Sequence, residues 1–309
     1  MTTERPGIAT PDAATNAERV GIGIASILIA VIFFSVADAA AKWLGQTYAP
    51  VQIVFLRYLF GLVPVAFFVW RGGGPGALKT RRPFAHGLRA LLIFTALLMM
   101  FTGLRGMPLA EAISIAFTAP LFMTALSGPV LGEPVSPRRW AAVVIGFIGA
   151  LIIMRPGTAA FRFEALYIVA SALCFAISAL VTRRMARTET TVAMLAYTTL
   201  GAGIVSLPAM PFLWQPPAAG DLWLFVLIGT VGGMAAYFVI LAYRHAPVAV
   251  VAPFEFTGLI WAALFGWIVW RERPEAIVWA GAGIIALSGL YTTYRENAAP
   301  RAPEKGCAR

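Results

Sequence analysis

LRGMPLAEAISIAFT, residues 104–118, lies over YRHAPVAVVAPFEFT, residues 243–257, when the chain is slid along itself by 139 positions. The shift aligns Arg105 with Arg244, Pro108 with Pro247, Ala110 with Ala249, Phe117 with Phe256 and Thr118 with Thr257. Continued without a gap, it puts Glu133 on Glu272, Trp140 on Trp279, Ala141 on Ala280 and, upstream, Tyr58 on Tyr197. Identities among apolar residues arise readily by chance in an oily chain. Arg, Pro, Glu and Trp agreeing at one offset do not, and the chain reads as two copies of one unit.

The unit is a set of membrane helices. Of the 309 residues, 60% are hydrophobic and 12% charged, where soluble domains carry about 25% charged residues. Nearly charge-free windows of about 20 residues, enough helix to cross about 30 Å of hydrocarbon, recur along the chain. Ten spans are expected, at about 20–44, 51–70, 84–103, 109–131, 139–154, 164–182, 191–213, 222–243, 247–270 and 276–294. They are too long and too uniformly apolar for barrel strands, which run about 10 alternating residues. The expected fold is an all-α integral membrane protein with five-span units at 20–156 and 161–295, between tails 1–19 and 296–309 that are rich in Ala, Pro and charge and read as disordered. An odd number of spans per unit sends the second copy into the membrane from the opposite side. Inverted repeats of this kind are the architecture of secondary transporters, in which exchange of shape between the halves turns one central site from one compartment to the other.

The charges are distributed accordingly. With both termini placed in the cytoplasm, seventeen Arg and Lys fall on the cytoplasmic side and five on the other, namely Arg105, Arg155, Arg162, Arg271 and Arg273, while Lys42 and Arg57 lie inside spans. That is the positive-inside bias. The net charge of +10 therefore reflects topology and does not call for nucleic acid. An N-terminal signal peptide is rejected: the first apolar run is too long and its leader holds Pro6 and Pro11. Cys174 and Cys307 give no disulfide framework.

LRGMPLAEA after the third span, PVLGEPVSPRRW between the fourth and fifth, YRHAPVAVVAPFEF into the ninth and the closing GIIALSGLYTTYRE together resemble EamA-type members of the drug/metabolite transporter superfamily. The resemblance covers about residues 20–295. It implies a multi-pass carrier in a bacterial-type inner membrane that moves a small organic metabolite. Uptake of a riboflavin-like or nucleotide-like compound is the nearer match in style, and export of amino acids or drugs is the alternative.

Candidate site residues follow from polar groups at depth. Asp38 and Lys42 are four apart on one helix face and can pair; Lys42, near the span's end, can also snorkel to the interface. Arg57 enters the second span to about the depth of Asp38, roughly 9 Å in. An intramembrane carboxylate costs up to about 2.5–3.5 kcal/mol, so a partner or a wet cavity is expected. Asp38, Arg57 and Lys42 then either bind substrate or gate the outer mouth, or else Asp38 and Arg57 form a permanent ion pair that only fixes packing. Glu111 suits the first turn of its helix. Glu255 lies deeper, between Phe254 and Phe256, and is a candidate with Asp38 for coupling, against a packing role beside Arg244 or His245. Pro120 interrupts the fourth span and frees the carbonyl of Ala116, which makes Phe117, Thr118 and Pro120 candidate cavity walls, with Phe256 and Thr257 as repeat partners. Ala142, Gly146 and Ala150 form a small-residue stripe for close packing within the protomer or in a homodimer.

An enzyme finds little support. His86 and His245 have no metal-ligand spacing around them, there is no G-x-S-x-G, and the RGGGPG at 71–76 lacks the lysine and hydroxyl of a phosphate-binding loop. No cofactor is expected, and the competing class is a membrane-embedded enzyme acting on lipid or sugar.

Overall fold

The computed structural model describes residues 13–132, 135–185, 188–246 and 248–298. Most of the two tails, Glu133 and the side chains of Arg244, Pro247 and Ala249 lie outside the described residues. The described chain folds into α1 (Ala13–Leu44), α2 (Pro50–Arg71), α3 (Pro83–Leu104), α4 (Leu109–Ala116), α5 (Ala119–Leu131), α6 (Pro137–Met154), α7 (Glu164–Met185), α8 (Thr191–Ser206), α9 (Met210–Leu213), α10 (Leu222–His245), α11 (Val248–Glu255), α12 (Gly258–Trp270) and α13 (Ala276–Ala298). No strand occurs among the described residues. Among the described residues, nine helices or abutting helix pairs are long and apolar enough to cross a membrane, and α13 adds a shorter apolar stretch, Ala276–Thr292.

Local chemistry sets the ends. Pro50, Pro83 and Pro137 open α2, α3 and α6 at the position where a missing N–H leaves no bond unmade. Ser136 stands at the N-cap of α6, although its side chain makes no capping bond. Gly132 closes α5 in the left-handed region at φ 72°. Its equivalent at the end of α12 is Arg271 at φ 58°, a conformation that costs a non-glycine residue roughly 1–2 kcal/mol.

Helix boundaries recur at the repeat spacing. The pairs Pro83/Leu222, Leu109/Val248, Ala116/Glu255, Ala119/Gly258, Leu131/Trp270 and Pro137/Ala276 are each 139 residues apart, whereas Leu44/Met185 and Pro50/Thr191 are 141 apart. Tyr58 therefore stands opposite Thr199 rather than Tyr197. The ungapped upstream alignment fails because the loops that follow α2 and α9 differ in length.

The principal helix pairs, α1 with α10, α3 with α7, α6 with α13, and α2 with both α10 and α8, each join one half of the chain to the other. The two halves interleave and share one interior. α1 runs antiparallel to α10, since Phe33 meets Phe238 and Tyr48 meets Phe225. The expected small-residue stripe is occupied inside the protomer. Ala142, Gly146 and Ala150 are buried, and α6 approaches α13 so closely that a Cβ on Gly281 would stand 2.7 Å from the carbonyl oxygen of Gly149. The largest buried cluster, with Ile53, Phe101, Leu104, Leu109, Ile115 and Phe225, fills the end of the bundle that carries Lys42. Large apolar side chains such as Trp70, Phe84 and Leu287 cover the outside, as a hydrocarbon solvent favours.

Candidate functional site

Two broken helices meet in the interior. α4 stops at Ala116 and α5 begins at Ala119; α11 stops at Glu255 and α12 begins at Gly258. Pro120 follows the first break and offers no N–H to the carbonyl of Ala116. The second break has Leu259 at that position, so proline is not the common cause. The shared cause is the Phe-Thr pair. The Thr118 hydroxyl donates to the carbonyl of Ile115 at 2.7 Å, and that of Thr257 to Phe254 at 2.6 Å, so each threonine competes for a helical acceptor of its own chain. The rings of Phe117 and Phe256 then touch, with centroids 4.8 Å apart and planes inclined by 36°. Thr118 is fully buried, while Phe117, Pro120, Phe256 and Thr257 are half-buried. Glu255 ends α11 immediately before the break and is also half-buried. His245, its suggested packing neighbour, binds the carbonyl of Leu241 through Nδ1 at 2.8 Å.

Arg57 and Asp38 occupy one level of the bundle. At the crossing of α2 with α10, Gly229 and Gly232 supply the space. A Cβ on Gly229 would lie 2.8 Å from the Arg57 carbonyl oxygen, and one on Gly232 would lie 2.7 Å from its Nη2. The guanidinium thus rests on the α10 backbone. Interpolating between the Phe33–Phe238 and Tyr48–Phe225 contacts sets Asp38 of α1 beside the same stretch of α10. Arg57 acts on Asp38 electrostatically, yet no ion pair joins them, the described pairs being Lys42–Glu272, His86–Glu189 and Arg155–Glu275. A permanent Asp38–Arg57 bridge is therefore not what holds the helices.

Lys42 neither pairs with Asp38 nor snorkels outward. It is 3% exposed, donates to the Met107 carbonyl at 2.8 Å and to the Glu272 carboxylate, and lies 4.8 Å from the Trp270 ring centre. The other oxygen of Glu272 accepts the Leu109 N–H at 2.9 Å, an otherwise orphaned donor at the start of α4. Glu272 thereby ties α1, α4 and the α12–α13 loop together. It is held there by the left-handed turn at Arg271 and by its own N–H on the Gly266 carbonyl at 3.1 Å. Glu111 sits in the first turn of α4 and shares the field of Lys42, Arg162 and Arg155. The sequence marked Glu272 only by its alignment with Glu133 and gave no sign of its place beside Lys42.

The opposite end holds a second polar cluster that the sequence did not disclose. Glu189, in the loop before α8, accepts from the Arg81 N–H at 3.3 Å and pairs with His86 at 3.2 Å. Burial opposes its charge, but hydrogen bonds from His86, Thr80 and Arg81 prevail and hold the carboxyl below its ordinary pKa of 4.5. Arg89 is satisfied by neutral groups, Thr182, Thr198 and the Met194 carbonyl. No group of three or more metal-ligating side chains occurs among the described residues. An apolar groove between α2 and α8, lined by Leu62, Val65, Trp70 and Leu200, lies apart from these polar groups.

A multi-pass helical membrane protein whose interior is built around interrupted helices and buried ionised side chains belongs to the transporter class. The comparisons give the family. The EamA-like transporter family matches residues 21–155 and again 162–294, and the chain belongs to it. A riboflavin transporter of Rhizobium johnstonii is 32% identical over 296 residues, covering 94% of this chain and 97% of that protein. An S-adenosylmethionine uptake transporter of Rickettsia prowazekii is 30% identical over 276 residues, 89% of this chain and 93% of that protein. A pseudopaline exporter of Pseudomonas aeruginosa is 26% identical over 268 residues, 86% and 94% of the two chains. One solved crystal structure superposes with TM-score 0.63 at 20% identity, over 92% of this chain and 99% of its own, which speaks for the fold alone. The protein is a membrane transporter of a small metabolite and not an enzyme.

Proposed function

We propose that the protein imports a riboflavin-like or nucleotide-like metabolite across the bacterial inner membrane by alternating access, with ten membrane helices arranged as two inverted five-helix halves and both termini cytoplasmic. The observation that carries this reading is the pair of helix breaks, at one register in both halves, whose Phe117 and Phe256 rings meet. Interrupted helices expose backbone groups where a solute can bind, and paired breaks at one level give a single site reachable from either side. In this reading the Lys42 end faces outward, and the Lys42–Glu272–Leu109 clasp holds the outer passage shut. Asp38 and Arg57 lie just inside it and contact the solute, Phe117, Thr118, Pro120, Phe256 and Thr257 form the floor, and Asp38 and Glu255 are the groups available for proton coupling.

Support for import over export comes from the uptake proteins among its relatives at 30% identity or more. The test is purified protein in sealed proteoliposomes, assayed with labelled S-adenosylmethionine and labelled riboflavin, with and without a proton gradient. Saturable uptake with counterflow is the expected result. Non-saturable flux, or saturable flux of neither solute, refutes the proposal.

A further inference from the structure

We infer that the transported solute carries an α-amino-acid group, whose carboxylate is bound by Arg57 and whose ammonium is bound by Asp38. The inference rests on the carrier reading above and names the substrate class of that site.

Arg57 is nine-tenths buried, at 9% exposure for the whole residue, and its guanidinium has no hydrogen-bond or ion-pair partner among the described residues. Burial of a cation in this state is costly unless something completes it. Asp38 is half-buried, so its carboxylate sits within the bundle without being sealed off. It too makes no direct bond. Arg57 lies against Gly232, the Phe33–Phe238 and Tyr48–Phe225 contacts put Asp38 along the same stretch of α10, and the two groups stand beyond the 4.0 Å of an ion pair. Opposite charges held near each other but apart leave room for a solute bearing both signs.

Single-charge solutes fit worse. A plain carboxylate on Arg57 would sit in the repulsive field of Asp38, and a plain amine on Asp38 in that of Arg57. A zwitterion satisfies both, with the forked guanidinium matched to the carboxylate. The rest of the solute has a place as well. Val31 precedes Asp38 by seven residues, two helical turns along one face and about 10 Å away. Val31 and Phe117 both lie 3.5 Å from the Cβ position of Gly258, so the Phe117–Phe256 rings lie about that far below the charged pair. An amino acid joined to a flat heterocycle spans this distance. S-adenosylmethionine has that form; riboflavin has the ring and no amino acid.

Competition in proteoliposomes tests this on the unaltered protein. S-adenosylhomocysteine, which retains the amino acid, is expected to compete with labelled S-adenosylmethionine at least about tenfold better than the decarboxylated analogue or 5′-methylthioadenosine, the loss of a charge-assisted bond being of that size. In R57Q the preference for the carboxylated competitor should collapse; in D38N it should persist while KM rises about tenfold or more. R57K, which keeps the charge, should recover part of the preference and shows that R57Q did not simply misfold. Equal competition by all three analogues overturns the inference. Saturable riboflavin uptake undiminished in D38N and R57Q also overturns it and leaves the carrier standing, whereas saturable flux of neither solute overturns both.

Discussion

Replacing Glu272 with Gln perturbs the contact that joins α1, α4 and the α12–α13 loop at the Lys42 end of the bundle, the end that faces outward in the proposed orientation. Lys42 is 4% and Glu272 21% exposed in their side chains, so the pair is mostly shielded from water. Breaking a buried pair by removing one charge costs about 3–5 kcal/mol. Gln keeps an acceptor for the Leu109 N–H, and Glu272 is one-fifth exposed, so about 2 kcal/mol is the fitting magnitude. If the clasp exists only when the outer passage is shut, that amount tilts the equilibrium toward the outward-open form by about 30-fold. Ser35 reports this opening. It is 7% exposed and lies three residues before Asp38, on the same face of α1. With Cys174 and Cys307 replaced by Ser, S35C should react with a membrane-impermeant maleimide about tenfold or more faster in E272Q than in its parent. The control is E275Q, which removes the Arg155–Glu275 pair at 2.7 Å; with Glu275 63% exposed, that pair is worth at most about 1 kcal/mol and the labelling rate should not change. Equal labelling of E272Q and its parent, with the protein present in the membrane, refutes the gate.

Three further outcomes follow from the packing and the charges. Because hydrogen bonds hold the Glu189 carboxyl below its ordinary 4.5 despite burial, it contributes stability that is complete above that value and is lost as pH falls through its lowered pKa. Thermal melts in detergent should show this acid loss in the parent and a smaller one in E189Q. In G281A the new Cβ would stand 2.5 Å from Ile153 Cγ1 and 2.7 Å from the Gly149 carbonyl oxygen; backbone cannot yield cheaply, and a loss of about 1–3 kcal/mol should appear as a lower denaturation midpoint. Y48F deletes a hydroxyl that donates to Asp221 at 2.9 Å and accepts the Ala218 N–H at 2.9 Å, which should cost about 1–3 kcal/mol by the same measure, with little change in KM.

What the sequence could disclose depended on how far apart the cooperating residues stand. Helix positions were legible because the apolar runs are local signals. The first helix break was legible through Pro120, but for an incomplete reason: the second break has Leu259 in that place, and the hydroxyls of Thr118 and Thr257, bonded three residues back, are what the two share. Asp38 and Arg57 announced themselves by being charged at depth, and reading their spacing alone suggested that Lys42 would join them. It does not, because Glu272, 230 residues away in the chain, binds it more directly than any neighbour on its own helix can. No local pattern encodes that pairing. It arises because the two halves interleave, so the groups that complete one half's charged residues come from the other. The same interleaving gives the clasp a mechanical meaning: a bond between α1 and the α12–α13 loop spans the two halves, and a change in their relative disposition must break it. Asp38 and Arg57, which make no hydrogen bond or ion pair among the described residues, are in the proposed reading the groups left to hold one solute in both arrangements.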